Sequence, residues 1–212
     1  MRLTKLEHAC VRLESKDAVL VIDSGIWADP DALDGVDAVL VTDEHFDHLD
    51  AGRLRTRLGA NPGIRLWTNS SVASQFGEFG GQVQVVAHGD TFTAAGFDVC
   101  VYGVEHALVH HDIPVIPNIG FAVAGGVFHP GDALTVPEEP AATLLLPANA
   151  PWLKVSEMVD YARKVRPRRA YAIHDGLLNA RGLGMLDHWL KIAAEAVGGV
   201  FARLEPGTTV DL

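Results

Sequence analysis

Residues 37–50 read Asp-Ala-Val-Leu-Val-Thr-Asp-Glu-His-Phe-Asp-His-Leu-Asp, and the reading of this stretch decides the fold. The apolar run from Ala38 to Val41 predicts a short buried strand. It breaks into Thr42, Asp43, Glu44, His45, Phe46, Asp47 and His48, so four candidate metal ligands (Asp43, His45, Asp47 and His48) fall within six residues. A strand that delivers polar side chains at its carboxyl end is a common way to build a site in α/β proteins. Imidazole and carboxylate together suit zinc, iron or manganese. A plain polar loop before an amphipathic helix would explain Asp50 as a cap, with Leu54 and Leu58 facing the core. It does not explain two histidines and two aspartates at such close spacing.

Composition bounds the rest. At 212 residues a single domain spanning 1–212 is expected, large enough for a sizeable core. Hydrophobic residues make up 48% and charged residues 21%, which is ordinary for a globular protein. There is no run of 18 or more apolar residues, and Arg2, Lys5 and Glu7 charge the N-terminus. Neither a transmembrane helix nor a signal peptide is expected, and the expected location is cytoplasmic. The formal net charge of −10 argues against nucleic acid as the main partner. The one basic cluster (Lys164, Arg166, Arg168 and Arg169) reads as a helix C-terminus and its exit loop. Cys10 and Cys100 lie in strand-like segments and read as reduced thiols. Two cysteines are too few for a zinc ribbon.

Working outward from 37–50, residues 2–6 and 9–14 alternate as strands do, and Ala18 to Ile22 is an apolar strand ending at Asp23-Ser24-Gly25. A short helix is predicted after Asp29, a helix over roughly 50–58, a strand from Ile64 to Thr68, and a short helix from Asn69 to Phe76. Two or three strands fill 82–104, a loop covers 105–118, and strands at 119–123 and 126–129 are joined through Gly125-Gly126. Ala142 to Leu146 is a strand. Val155, Met158, Val159, Ala162 and Val165 mark a helix face, and Ala170 to Ile173 is a strand ending at His174. Leu186, Trp189, Leu190, Ala193 and Val197 mark the last helix, and Val200 to Leu204 is a closing strand. Periodicity alone supports a mixed α/β or α+β protein.

Asp43, His45, Asp47 and His48 resemble the His-x-His-x-Asp-His signature of the metallo-β-lactamase fold superfamily, with Asp43 in place of the first histidine. The resemblance implies a four-layer αβ/βα sandwich of two mixed β-sheets with helices on the outer faces, over nearly the whole chain. It also places His106, Asp132 and His174 as further metal ligands, and Asp23 as the early aspartate that supports the ligand loop. On that pattern one metal takes Asp43, His45 and His106, a second takes Asp47, His48 and His174, and Asp132 bridges them. The implied cofactors are two divalent metal ions, zinc first, with iron or manganese as alternatives because of Asp43. His8, in Glu-His-Ala-Cys, is similar to a segment of the compact branch related to ascorbate-6-phosphate lactonase. His8, His110 and His129 are expected near the ligands or substrate, with plain structural roles equally open for His8 and His129.

The resemblance implies a metal-dependent hydrolase in which a metal-activated hydroxide attacks a small-molecule ester, lactone or phosphodiester. Asp47 and His174 are the expected catalytic residues, with Asp47 orienting the nucleophile. There is no Gly-x-Ser-x-Gly elbow, which argues against a serine nucleophile. The rivals are a non-catalytic or single-metal member with an altered first site, and an iron-dependent oxidoreductase. A small-molecule substrate is expected, with no nucleic acid and no membrane partner; a homo-oligomer stays open.

Overall fold

The computed structural model describes residues 1–16 and 18–212. Its first sheet contains β1 (Arg2–Glu7), β2 (Cys10–Ser15), β3 (Ala18–Ile22), β4 (Ala38–Val41), β5 (Arg65–Thr68) and β6 (Val83–Val85), with β14 (Thr209–Asp211) added beside β1. The second contains β7 (Thr91–Ala94), β8 (Phe97–Tyr102), β9 (Gly120–Val123), β10 (Val127–His129), β11 (Thr143–Pro147), β12 (Arg169–Ile173) and β13 (Val200–Ala202). In the first sheet β14, β1, β2 and β3 pair antiparallel, and β3 to β6 pair parallel. The second repeats this plan, antiparallel from β7 to β10 and parallel from β10 to β13.

Side-chain alternation explains why the sheets stack. In β4, Ala38 and Leu40 point between the sheets, while Val39 and Val41 point outward. A strand covered on both faces reads as a continuous apolar run, which is how 38–41 looks in the sequence. Leu20, Ile22, Leu40, Phe121, Val123, Leu145 and Ile173 fill the layer between the sheets. Outside the first sheet lie α1 (Ala51–Ala60) and α2 (Ser70–Ser74), with Leu54, Leu58 and Val72 buried against it. Outside the second lie α3 (Val155–Val165) and α4 (Ala180–Val197), through Met158, Ala162, Leu186 and Leu190. The expected sandwich of two mixed sheets with outer helices is the observed architecture. No helix among the described residues is long and apolar enough to cross a membrane.

Three boundaries differ from the sequence reading. The last helix begins at Ala180, six residues before its first regular apolar position, because the Asn179 side chain accepts from the backbone N–H groups of Arg181 and Gly182. The weak helix formers Gly182 and Gly184 mask this start, and a Cβ at Gly182 would lie 3.0 Å from Leu178. The closing strand stops at Ala202, and the chain then returns as β14 to cover the edge of β1, a three-residue element without its own periodicity. The helix expected after Asp29 is a single 3₁₀ turn, Pro30–Leu33.

Candidate metal centre

The strand ends converge on one edge of the sandwich. Asp23 follows β3, Thr42 to His48 follow β4, His106 follows β8, Asp132 follows β10, and His174 follows β12. Two close approaches set the loops. A Cβ at Gly25 would lie 2.0 Å from the carbonyl oxygen of Asp47, so only glycine lets the Asp23 loop meet the ligand loop. Gly131 lies equally tight against Asn118 and Thr42, at φ +63°. Asn118 then accepts from the Asp132 N–H (2.9 Å) and donates to the Pro130 carbonyl (2.9 Å), which fixes the Asp132 backbone.

Each inner histidine is held by Nδ1. His48 Nδ1 donates to Asp23 Oδ2 (2.7 Å), and His174 Nδ1 donates to the Asn149 carbonyl (2.7 Å). His106 Nδ1 donates to the Ala107 carbonyl (2.5 Å). Asp23, fully buried, also accepts from the Thr42 N–H (2.9 Å) and hydroxyl (2.8 Å). With the Nδ1 proton committed, all three rings turn Nε2 toward the carboxylates, the usual arrangement of metal-binding histidines.

Those Nε2 atoms meet a shared carboxylate. Asp132 Oδ1 lies 3.2 Å from His48 Nε2 and 3.1 Å from His174 Nε2, while its Oδ2 lies 3.1 Å from His106 Nε2. Asp47 Oδ2 is 3.3 Å from His174 Nε2 and 4.0 Å from His48 Nε2. Despite these distances, His48 Nε2, His174 Nε2 and Asp132 Oδ1 are buried without an aligned hydrogen bond. Buried polar atoms are normally satisfied, and three orphans facing one another fit a cation that would join them. The donor atoms of His48, Asp132 and His174 lie within 4.8 Å of one another, as do those of His45, His106 and Asp132. These groups are able to bind metal, and Asp132 belongs to both.

Charge tells the same story. Burial alone would lower the His174 pKa, but Asp132 and Asp47 push it up to about 9. His48 rises well above its ordinary value for a similar reason, with Asp43, Asp132 and Asp23 outweighing burial. Burial likewise opposes, and the Asp132 contact outweighs it, in raising His106. Burial would raise the carboxyl of Asp132, but His48, His106 and His174 hold it well below the usual range. The centre calls for positive charge, which protons supply when a cation does not.

The structure does not bring Asp43 into either convergent set. Its Oδ1 accepts from the His45 N–H (2.9 Å) and its Oδ2 from the Thr42 hydroxyl (3.3 Å), so the carboxylate folds back on its own loop. Burial first, then Asp132 and Asp23, raise its pKa. His8 joins a third convergent set, with donor atoms of His8, Asp47 and His174 within 4.8 Å of one another, whereas His129 orients its neighbours. The Gly176 N–H donates to His8 Nδ1 (3.2 Å), which leaves Nε2–H to donate to Asp47 (3.2 Å). The Gly131 N–H donates to His129 Nδ1 (3.1 Å), and Nε2–H donates to the Ala9 carbonyl (2.9 Å), so both ring nitrogens are used. His110, expected near substrate, is exposed beside His111 and Asp112, and none of its described contacts reaches the centre. A surface groove of about 760 Å³ lies near Thr143 and Arg169, and none of the candidate ligands line it.

Residues 2–174 match the beta-lactamase superfamily domain. The chain belongs to that superfamily. Protein Rv0786c of Mycobacterium tuberculosis is 37% identical over 217 residues, covering 100% of this chain and 94% of that protein. A UPF0173 metal-dependent hydrolase of Aeropyrum pernix is 33% identical over 78 residues, or 34% of this chain and 31% of that protein. Among solved structures, Igni18, a metallo hydrolase from Ignicoccus hospitalis, superposes with a TM-score of 0.74 at 18% identity, covering 99% of this chain and 97% of that one. At that identity the likeness concerns the fold.

Sequence reasoning within this superfamily pattern missed three side chains. Trp152 Nε1 donates to Asp132 Oδ2 (3.1 Å), and nothing in its loop signals that role. Lys5 Nζ donates to Asp175 Oδ1 (2.6 Å) and to the Ala172 carbonyl (3.1 Å), a buried ion pair spanning the two sheets. Its signal was legible: Lys5 occupies the inward slot two residues after Leu3, and Asp175 directly follows His174.

Proposed function

We propose that this chain, a metal-dependent hydrolase of the beta-lactamase superfamily, holds two divalent cations and cleaves a small-molecule ester, lactone or phosphodiester. The observation that carries this reading is the trio of orphaned buried atoms, His48 Nε2, His174 Nε2 and Asp132 Oδ1. One cation would take Asp47, His48, His174 and Asp132; the other would take His45, His106 and Asp132, with Asp43 left outside. Zinc is the metal proposed, since imidazole-rich sets with carboxylate suit it.

A divalent cation held there lowers the pKa of a water and polarises the oxygen of a carbonyl or phosphoryl group. The chain's own residues do the rest. Asp47 Oδ2, steadied by the His8 Nε2–H donor, lies beside His174 and is placed to accept a hydrogen bond from an attacking water and orient it. Burial, its largest influence, lowers the His8 pKa, and the Gly176 N–H at Nδ1 leaves Nε2–H to donate to Asp47. Asp23 keeps the His48 proton on Nδ1, and Trp152 steadies Asp132. A lactone substrate, a cytoplasmic location and a small molecule rather than a polymer belong to the same proposal. The acidic balance of −10 supports the last of these.

The test is elemental analysis with hydrolysis assays on wild type, His48→Ala and Asp132→Ala. Both variants should keep the fold, lose metal and lose turnover. Metal content unchanged in both would refute the assignment of the site.

A further inference from the structure

The approach to the metal centre is apolar. Trp27 packs edge-on against His8, with ring centroids 4.7 Å apart, and Phe46 packs edge-on against Trp27 at 5.4 Å. Phe46 sits between His45 and Asp47, yet it is 56% exposed and Trp27 is 37% exposed. The backbones that carry this pair are joined. The Ile26 N–H donates to the Phe46 carbonyl (2.8 Å), and Gly25 packs against the backbone of Asp47. Trp152 borders the same centre, 6.0 Å from the His106 ring and 6.5 Å from the His174 ring. Ligand sites are lined mainly by apolar and aromatic side chains with a few polar groups that fix orientation.

The carboxylates of the centre have no arginine or lysine partner among the described residues; the ion-pair partners of Asp23, Asp43, Asp47 and Asp132 are histidines. Lys5 is buried and committed to Asp175. Four carboxylates would offset the charge of two divalent cations, leaving little attraction for an anionic substrate. Recognition of phosphate normally uses arginine forks or point-charged lysines.

We infer that Trp27 and Phe46 form a subsite for the apolar aryl or alkyl group of an uncharged ester or lactone, so the centre selects against phosphodiesters. The inference rests on the hydrolase reading above for its reaction. It needs only a metal-loaded site for its binding.

Calorimetric titration of the zinc-loaded protein with acetohydroxamate, butanohydroxamate and hexanohydroxamate, and with phenylphosphonate, tests it alongside turnover of matched esters and bis(4-nitrophenyl) phosphate. Kd should tighten roughly two- to four-fold per added methylene, the upper figure being full burial. In Phe46→Ala and Trp27→Ala the ratio of acetohydroxamate Kd to hexanohydroxamate Kd should collapse toward one. Because it is a ratio within one protein, a partial loss of folded or loaded material does not mimic it. Phe46 is exposed enough that its variant is not needed for the core. A chain-length-independent Kd in wild type, tighter binding of phenylphosphonate, or no binding of any hydroxamate would overturn the inference. Turnover of short esters with a flat length dependence would overturn the subsite and leave the hydrolase reading standing. A steep length dependence with no turnover of any ester or phosphodiester would do the reverse.

Discussion

Lys5→Met offers the sharpest test of how the centre is held. Lys5 and Asp175 have side-chain exposures of 2% and 8%, and their charged atoms meet at 2.6 Å. Methionine keeps most of the length and apolar contact of lysine but removes the charge. Asp175 is then left buried without its cation, and the Ala172 carbonyl loses a donor. Removing one member of a buried pair costs about 3–5 kcal/mol, which is about a fifth or more of a typical total stability of about 5–15 kcal/mol. Replacing both members with apolar side chains removes the stranded charge, so Lys5→Met/Asp175→Leu should recover most of the loss. Urea unfolding of the metal-free proteins, followed by circular dichroism, gives the comparison, since bound metal would mask the difference. The double variant should still bind zinc more weakly, because Asp175 follows His174 directly and its bond to Lys5 anchors the chain there. A loss under about 1 kcal/mol for Lys5→Met would refute the claim that the pair is a buried strut.

Four other outcomes are expected. Asp23→Ala frees His48 Nδ1 and should weaken metal binding about 10–100-fold while leaving the circular dichroism spectrum unchanged. Asp43→His should tighten binding of the metal at His45, His106 and Asp132, as measured by calorimetric titration, by adding a nitrogen donor near them; an unchanged affinity would mean that this set is already complete. Gly25→Ala should lower metal affinity and thermal midpoint together, because its Cβ would meet the Asp47 carbonyl oxygen at 2.0 Å and one of the two loops must move. The metal-free protein should lose stability as pH rises from about 6.5 toward 9. The folded His174 has a pKa raised to about 9 above its unfolded value near 6.5, so its contribution is full below the unfolded value and gone above the folded one. Thermal melts across that window, with and without zinc, check the sign: a metal-free midpoint that rises would contradict it.

Much of the fold was legible because burial imposes periodicity. The doubly covered β4 and β11 show as apolar runs, and the hairpin through Gly125-Gly126 and the cap at Asp50 show as local chemistry. What was not legible depends on contacts without a local signature. β14 is three residues whose only strand-like property is the open edge of β1. The start of α4 hides behind two glycines. At the site, residue types and spacing singled out His45, Asp47 and His48, and the superfamily resemblance added His106, Asp132 and His174. The direction in which Asp43 turns was not readable, because it depends on the His45 N–H and the Thr42 hydroxyl competing for its oxygens. His110 read as pocket lining because the seven ligand positions were already filled, yet its loop carries it outward to solvent.

Backbone strain links these details. His8, Asp23 and His174 have φ of 40°, 55° and 62°, in the left-handed region that non-glycine residues avoid. Each lies where the chain leaves a strand to enter the centre, and such positions cost on the order of 1 kcal/mol or more each. They persist because neighbouring contacts over-determine them: Thr42 on Asp23, Asn149 on His174, and the His174 N–H on the His8 carbonyl at 3.0 Å. A relaxed φ at His174 would swing Nε2 away from Asp132 and Asp47, and a relaxed φ at Asp23 would release His48. The Lys5–Asp175 pair anchors the chain at His174 from one side, and the Gly176 N–H bond to His8 anchors it from the other. At these three positions the strain falls on residues that aim donors or orient them, and the buried polar contacts around the centre are what hold it there.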